Sequence, residues 1–189
     1  PVNLHSMTSG SPSYTIDPLY VAFLDSVINW CEELDIYLIL DNHSFDPNID
    51  TSPDIGNILN KVWSQTALHL KDRSELVLYE ILNEPHGIST SAWGSIQGQV
   101  INTIRAIDTK HTIIVGGSGY NSYNELKNLP VYTDSNLLYT FHFYDPFVFT
   151  HQGASWTVPS MEPLAGVPFP YDAARMPLCP ASLKGTWIE

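Results

Sequence analysis

A repeated alternation of amphipathic helix and short apolar strand is the feature that most limits how this chain can fold. Apolar runs that end in polar residues predict four strands, at residues 36–40, 75–82, 112–115 and 137–143. The stretches before the first three runs predict helices, over residues 17–34, 52–70 and 91–107. Strands connected through helices pair in parallel, with their carboxyl ends at one edge of the sheet. The pattern therefore predicts an α/β fold built from βα units.

Local signals set the expected helix boundaries and one expected core position. The first helix is predicted to begin after Asp17, the second at Ser52 and the third at Ser91, because these side chains cap helix N-termini. The apolar face of the first helix is expected to pack into the core, and it includes Cys31. This face consists of Tyr20, Phe23, Leu24, Val27, Ile28, Cys31 and Leu34.

Charge and length exclude several classes of partner. Acidic residues outnumber basic ones by 20 to 8, so the formal net charge of −12 disfavours binding to nucleic acid or to anionic membrane surfaces. No apolar run approaches the roughly 20 residues of a membrane span. The 189 residues are expected to form one domain over 1–189. The two cysteines, far apart in the sequence, form no metal or redox motif, and no cofactor is predicted.

The final 44 residues break the helix and strand pattern. They contain seven of the 14 prolines and no predicted strand, which indicates a long loop or an insertion. Earlier in the chain, Gly116, Gly117 and Gly119 follow the third strand and are interpreted as an ordinary turn.

Asn83-Glu84-Pro85 carries the sharpest chemical signal, because an amide and a carboxyl group leave a predicted strand together. The following proline stiffens the turn that aims them. A carboxyl group in this position can protonate a glycosidic oxygen as the bond breaks and later activate water as a base. The motif therefore predicts Glu84 as a general acid/base.

Four segments in order resemble the cellulase-type glycoside hydrolases of family 5. They are Leu38-Ile39-Leu40-Asp41-Asn42-His43, Leu78 to Pro85, Phe141-His142-Phe143-Tyr144, and Asp145-Pro146-Phe147 with Thr150 to Gly153. The resemblance implies an incomplete (β/α)8 TIM barrel of about strands 2 to 6 with intervening helices, with residues 1–4 at the end of strand 2. It also implies a β-glucan or related polysaccharide as substrate, and a secreted or periplasmic location.

The resemblance assigns roles position by position. It implies that Glu84 is the acid/base and that Asn83 hydrogen-bonds the 2-hydroxyl of the sugar. It implies that His142 and Tyr144 contact the substrate and orient the nucleophile, and that His43 lines the subsite of the cleaved sugar. Further predicted substrate contacts are His86, His151 and Trp156. His69 and His111 are instead interpreted as solvated residues at helix ends.

The second carboxylate of a retaining glycosidase is the missing part of the predicted site. Glu80 lies four residues before Glu84 on the same strand, about 13 Å away, and is expected to point into the barrel as a hydrogen-bonded residue. Neither Glu162 nor Glu189 follows an apolar strand. The chain is therefore interpreted as a fragment that is inactive by itself and that pairs with the remainder of its own barrel.

Two other functions remain open at this stage. Seven histidines and many carboxylates would suit a metal-dependent barrel hydrolase, although no His-x-His pair of ligands occurs and no metal is predicted. A catalytically silent carbohydrate-binding fragment is the other alternative. The leading prediction is a retaining endo-β-1,4-glucanase.

Overall fold

The computed structural model describes residues 1–44, 46 and 48–189. These residues form two compact units, Pro1–His142 and Phe143–Glu189. The sheet and all the long helices lie in the first unit. A single domain over 1–189 remains a prediction.

The first unit is a parallel sheet whose strands are connected through helices. The long helices are α1 (Pro18–Glu33), α2 (Ile55–Leu70) and α3 (Thr90–Arg105). The strands are β1 (Leu38–Asp41), β2 (Val77–Glu80), β3 (Ile113–Gly116) and β4 (Leu137–Thr140). They pair in parallel in the order β1-β2-β3-β4. Two short helices, α4 (Ser118–Asn121) and α5 (Tyr123–Leu126), lie between β3 and β4. The predicted sheet of βα units is confirmed.

The first residues of the chain extend this sheet beyond β1. Val2 forms a parallel bridge with Asn42. Its N–H donates to the Asp41 carbonyl at 2.8 Å, and its own carbonyl accepts from the His43 N–H at 2.8 Å. This pairing agrees with the interpretation of residues 1–4 as the end of a preceding strand.

Capping side chains define where the helices begin. The Asp17 carboxylate accepts a hydrogen bond from the Leu19 N–H at 2.8 Å, as predicted for α1. Helix α3 begins one residue earlier than predicted, because Ser89 is its cap. Helix α2 begins three residues later than predicted, since Ser52 instead forms a turn in which its hydroxyl accepts from the Asp54 N–H.

The two faces of the sheet differ in what they carry. Leu40 and Tyr79 are directly paired on β1 and β2, and both are almost fully buried. The Tyr79 ring lies 5.5 Å from the ring of Trp63 on α2, so this face is covered by helix. Side chains alternate along a strand, and the next pair, Asp41 and Glu80, therefore projects from the opposite face.

Two buried tryptophans connect the helices to the strand ends by hydrogen bonds. The indole N–H of Trp63 on α2 donates to the Ile81 carbonyl at 2.9 Å. The indole N–H of Trp93 on α3 donates to the Gly116 carbonyl at 2.9 Å. Each bond satisfies a buried polar group. Each bond also holds a helix against residues that lie shortly before a loop of the candidate site.

Helix α1 is less buried than its sequence pattern predicts. Leu24 and Ile28 are buried, but Phe23 is 58% and Leu34 is 67% exposed. Cys31 is half-buried, so the prediction that it packs in the core is met only in part. Periodicity reports which side of a helix is apolar, but it does not report how wide a strip the neighbouring elements cover.

The interpretation of His111 as a solvated residue is wrong. Its side chain is fully buried, stacks on the Tyr79 ring at 4.9 Å, and pairs with the Asp108 carboxylate at 2.6 Å. A buried charged partner makes the burial of this polar ring possible. His69, by contrast, is exposed near the end of α2, where it pairs with Asp25.

The second unit has little regular structure, as predicted from its prolines. Its elements are helix α6 (Phe147–Thr150) and a short 3-10 helix, Ala181–Leu183. A small apolar cluster of its own holds it together, and the buried members are Met161, Leu164, Val167 and Leu183. Across both units, no helix within the described residues is long and apolar enough to cross a membrane.

Candidate active site

Glu84 and His142 are brought together at the carboxyl ends of β2 and β4. Glu84 lies four residues after the end of β2, and His142 lies two residues after the end of β4. The Glu84 Oε1 atom is 2.5 Å from the His142 Nδ1 atom, and both side chains are mostly buried. The structure therefore joins two residues that the sequence separates by 58 positions.

Backbone geometry aims both side chains. Glu84 adopts a positive φ of 47°, which is uncommon for a residue with a side chain and is often found at functional sites. The His142 N–H donates to the Asn121 carbonyl at 2.9 Å, next to a parallel bridge between Ser122 and His142. The segment after β3, which contains α4, therefore fixes the histidine that contacts the acid/base candidate.

Nearby carboxylates favour the protonated form of His142. The hydrogen bond with Glu84 raises the pKa of the His142 imidazole, and burial opposes this by a smaller amount. The negative charges of Glu84, Glu80 and Asp41 raise the pKa further. The ring therefore keeps both of its N–H groups to a higher pH than an isolated histidine does, and its Nδ1–H can donate to Glu84.

Asn83 and Asn42 hold the ends of β1 and β2 together. Asn83 is 4% exposed, and its N–H donates to the Asn42 carbonyl at 3.0 Å. Asn42 is fully buried, and its Nδ2 lies 3.2 Å from both the Ile81 carbonyl and His5 Nε2. Because burial lowers the pKa of His5 to about 4, its neutral ring can accept this bond from Asn42. The predicted contact between Asn83 and a sugar 2-hydroxyl remains a prediction.

His43 is held by a carboxylate at the end of β1. Its Nδ1 lies 2.7 Å from Asp41 Oδ2, and its side chain is 41% exposed. Glu80 lies beside Asp41 in the sheet register. The expectation that Glu80 is a hydrogen-bonded residue stays a prediction. Burial, and then the charge of Asp41, raise the pKa of Glu80 to about 7.

His86 supports the loop of Glu84, and Tyr120 is the exposed residue beside it. The His86 ring is 4% exposed, its Nδ1 lies 3.0 Å from the Glu84 carbonyl, and it stacks on the Tyr120 ring at 4.3 Å. Tyr120 is 46% exposed, and the charges of Asp50 and Glu84 help to raise its pKa after the larger effect of burial. The proposed contact of His86 with substrate remains a prediction, but its aromatic partner is more accessible.

Sequence reasoning missed Tyr120 because the glycines around it were interpreted as an ordinary turn. The backbone in fact has positive φ at three successive residues, Gly119, Tyr120 and Asn121. The available signal was position: residues that follow a parallel strand lie at the edge where α/β folds place their sites.

The remaining predicted site residues lie in the second unit. The Tyr144 ring meets the His151 ring edge-on at 5.2 Å, and His151 stacks on Phe147 at 3.7 Å. Trp156 is 66% exposed. The roles of Tyr144, His151 and Trp156 toward substrate remain predictions. Within residues 1–44, 46 and 48–189, no group of three His, Cys, Asp or Glu side chains is arranged to hold a metal ion.

Similarity to known proteins agrees with this geometry. Residues 1–172 match the family model of Cellulase (glycosyl hydrolase family 5). Endoglucanase 3 of Fibrobacter succinogenes is 33% identical over 168 residues, which are 84% of this chain and 25% of that protein. Endoglucanase C of Acetivibrio thermocellus is 31% identical over 150 residues, which are 75% of this chain and 44% of that protein.

A solved structure extends the comparison to the fold. The crystal structure of endoglucanase Cel5A from Thermotoga maritima superposes with a TM-score of 0.78 at 31% identity, covering 83% of this chain and 52% of that one. The chain thus spans about half the length of this solved relative. The prediction of an incomplete (β/α)8 barrel is confirmed. Because the family model matches most of its residues, the chain belongs to glycosyl hydrolase family 5, the cellulase family.

Proposed function

We propose that this chain is part of a retaining β-glycoside hydrolase that cleaves β-1,4-linked glucans, with Glu84 as the general acid/base. The observation that carries the proposal is the 2.5 Å contact between Glu84 Oε1 and His142 Nδ1 at the strand ends of a family 5 chain. A barrel of this kind concentrates its catalytic groups at that edge.

In this proposal Glu84 acts twice. It first protonates the glycosidic oxygen as the bond to the sugar breaks, which leaves Glu84 ionised. The Nδ1–H of His142 then donates to the new carboxylate, and the raised pKa of the ring favours this state. In the second step the carboxylate removes a proton from water as the glycosyl intermediate is hydrolysed.

The nucleophile is proposed to lie outside these 189 residues. A retaining glycosidase needs a second carboxyl group about 5–5.5 Å from the first. Glu80 precedes Glu84 by four residues and faces Asp41, so it does not fit this role. The 189 residues are therefore expected to give no turnover by themselves. By themselves they would then correspond to the catalytically silent carbohydrate-binding fragment, which remains an outcome of the test.

The substrate class is proposed from the names of the relatives. Several are endoglucanases, and Thermotoga maritima Cel5A has been crystallised with cellobiose and with mannotriose. A β-glucan is the first candidate and a mannan the second. Because such polymers lie outside cells, we propose a secreted or periplasmic location. The family match does not favour a metal-dependent hydrolase.

The proposal is tested with Glu84→Gln in the polypeptide encoded by the open reading frame that contains these residues. Hydrolysis of a soluble β-glucan is expected to fall by at least about 100-fold, because its leaving group needs a proton. Release of dinitrophenol from an aryl cellobioside in the first step should be nearly unchanged, since that leaving group needs little protonation.

The matched control is Glu75→Gln, which alters an exposed carboxyl group shortly before the same strand. It should leave both activities unchanged. Equal losses on both substrates with Glu84→Gln would remove Glu84 from the role of acid. Activity that disappears with a chelator and returns with zinc would favour the metal-dependent alternative.

A further inference from the structure

Asp41 and Glu80 form a carboxyl pair on the face of the sheet opposite α2. They are directly paired in the parallel register of β1 and β2, and the Asn42 N–H donates to the Glu80 carbonyl at 3.2 Å. Neighbouring strands lie about 4.8 Å apart, and paired residues project to the same side. A modest rotation of the longer Glu80 side chain therefore brings its carboxyl group within reach of Asp41.

The two oxygens of Asp41 are in different situations. Oδ2 lies 2.7 Å from the Nδ1 of His43. Oδ1 is buried and has no hydrogen-bond partner among the described residues. A buried carboxylate oxygen without a donor is unfavourable by about 1–3 kcal/mol or more. A donor is therefore expected at Oδ1, and the paired residue on the next strand is placed to supply it.

Glu80 can be that donor only as a carboxylic acid. Two adjacent carboxylates on a half-buried face cannot both ionise without a large cost. Burial is the main cause that raises the pKa of Glu80, followed by the charge of Asp41. The charges of His142 and His43 oppose the rise, yet the pKa still reaches about 7. The charged groups around Glu80 therefore leave the acid form available near neutral pH.

We propose that Glu80 is a positioning residue: its carboxylic acid donates a hydrogen bond to Asp41 Oδ1, and Asp41 in turn holds His43 through Oδ2. With the proton on Glu80, Asp41 remains an acceptor at both oxygens. His43 then donates from Nδ1, which fixes the plane of the ring. The expected effect of His43 placement on sugar binding rests on the proposed function, whereas the two hydrogen bonds of Asp41 are independent of it.

The first experiment uses the same polypeptide as the Glu84 test and needs no activity. Infrared difference spectra between the wild-type chain and Glu80→Gln at about pH 6 should contain a carboxylic acid carbonyl band from Glu80. Nitrogen-15 shifts of the His43 ring should report the Nδ1–H form in both proteins, because the glutamine amide also donates to Asp41 Oδ1. Glu75→Gln is the control and should produce no acid band.

Two further variants separate this role from a purely structural one. Asp41→Asn removes the carboxylate from His43 and should change its ring tautomer. Glu80→Leu keeps a similar volume but donates nothing, so His43 should show exchange between tautomers. An ionised Glu80 at about pH 6, or an unchanged His43 tautomer in Asp41→Asn, would overturn the proposal. Urea unfolding of each variant identifies any that fails to fold, and Glu80→Gln, the nearest in shape, then decides the result.

Catalytic activity is a second, independent measurement, made on the polypeptide that is used to test Glu84. Glu80→Gln should retain kcat/KM, whereas Glu80→Leu should lower it between about 10- and 100-fold through misplacement of His43. If Glu84→Gln contradicts the glycosidase proposal while the spectra support the Glu80 hydrogen bond, only the proposed function fails. If Glu80→Gln loses activity as fully as Glu80→Leu, the positioning role fails.

Discussion

Replacing Asp108 by alanine is expected to destabilise the fold far more than replacing it by asparagine. The Asp108 carboxylate is fully buried and accepts four hydrogen bonds. Oδ1 accepts from the N–H groups of Lys110 at 2.9 Å and His111 at 3.1 Å. Oδ2 accepts from the Tyr79 hydroxyl at 2.8 Å and the His111 ring at 2.6 Å. His111 Nε2 lies 3.0 Å from the Ser74 carbonyl.

The magnitudes follow from which donors lose their partner. Asp108→Ala leaves two backbone N–H groups, a hydroxyl and a ring nitrogen without an acceptor in the core, at a cost of about 3–5 kcal/mol. Asp108→Asn keeps the acceptor for the backbone groups. Its amide can donate one N–H to Nδ1 of His111, whose Nε2–H then donates to Ser74, and the other to the Tyr79 oxygen, so the Tyr79 O–H is the one group that loses its acceptor. The expected cost is about 1 kcal/mol.

Urea unfolding followed by circular dichroism measures both values as changes in the free energy of unfolding. Asp72→Ala, at an exposed position after α2, is the control and should change stability by less than about 0.5 kcal/mol. Equal costs for Asp108→Ala and Asp108→Asn would refute the account, because they would mean that the lost charge, not the unpaired donors, decides stability.

The same network predicts a difference in acid. Burial alone would raise the pKa of Asp108, but the N–H groups of Lys110 and His111 and the side chains of Tyr79 and His111 hold it below its ordinary value. The folded pKa is thus lower than the unfolded one. Asp108 therefore contributes stability above about pH 3.9, and this contribution is lost as the pH falls through the lowered folded value. Asp108→Asn should lose less stability than the wild-type chain over that acid range.

Three further outcomes are expected. Gly87→Ala should cost about 1–3 kcal/mol more in urea unfolding than Gly10→Ala, because both glycines have positive φ but only at Gly87 would a Cβ atom lie 2.1 Å from the Asp50 side chain. His5 should titrate near pH 4 by NMR. The stability that its neutral ring contributes above the ordinary histidine pKa of 6.5 should decline as the pH falls toward 4. This decline should be absent in His5→Gln. Tyr120→Ala should raise KM for cellotetraose about 2- to 10-fold if the exposed ring contacts sugar, whereas an unchanged KM would limit Tyr120 to supporting His86.

The order of strands and the acid/base candidate could be predicted from the sequence because each depends on local pattern. Apolar runs that end in polar residues located β1 to β4, and the motif at Asn83 and Glu84 located the carboxyl group. Parallel strands also place the residues after β2 and β4 at one edge, although the direct contact of Glu84 with His142 was not among the predictions. These inferences need only chain order and side-chain chemistry.

What could not be predicted depends on pairs that are distant in sequence. The burial of His111 depends on the Asp108 carboxylate and on the ring of Tyr79, which lies on β2. The orphan oxygen of Asp41 becomes visible only when β1 and β2 are placed in register with Glu80. A helix-end histidine and a strand-end aspartate are ordinary in sequence, and only three-dimensional neighbours give them their roles.

The residues that hold the backbone near Glu84 cannot be recognised from sequence motifs. Three residues before it, the buried Ile81 carbonyl accepts from the Trp63 indole at 2.9 Å and from the Asn42 amide at 3.2 Å. A carbonyl oxygen has two lone pairs, so both are occupied, one from helix α2 and one from the end of β1. These two side chains fix a main-chain atom, not a catalytic group, and no property of Ile81 itself points to them. The chemistry at the strand end therefore depends on backbone anchors that only the assembled sheet reveals.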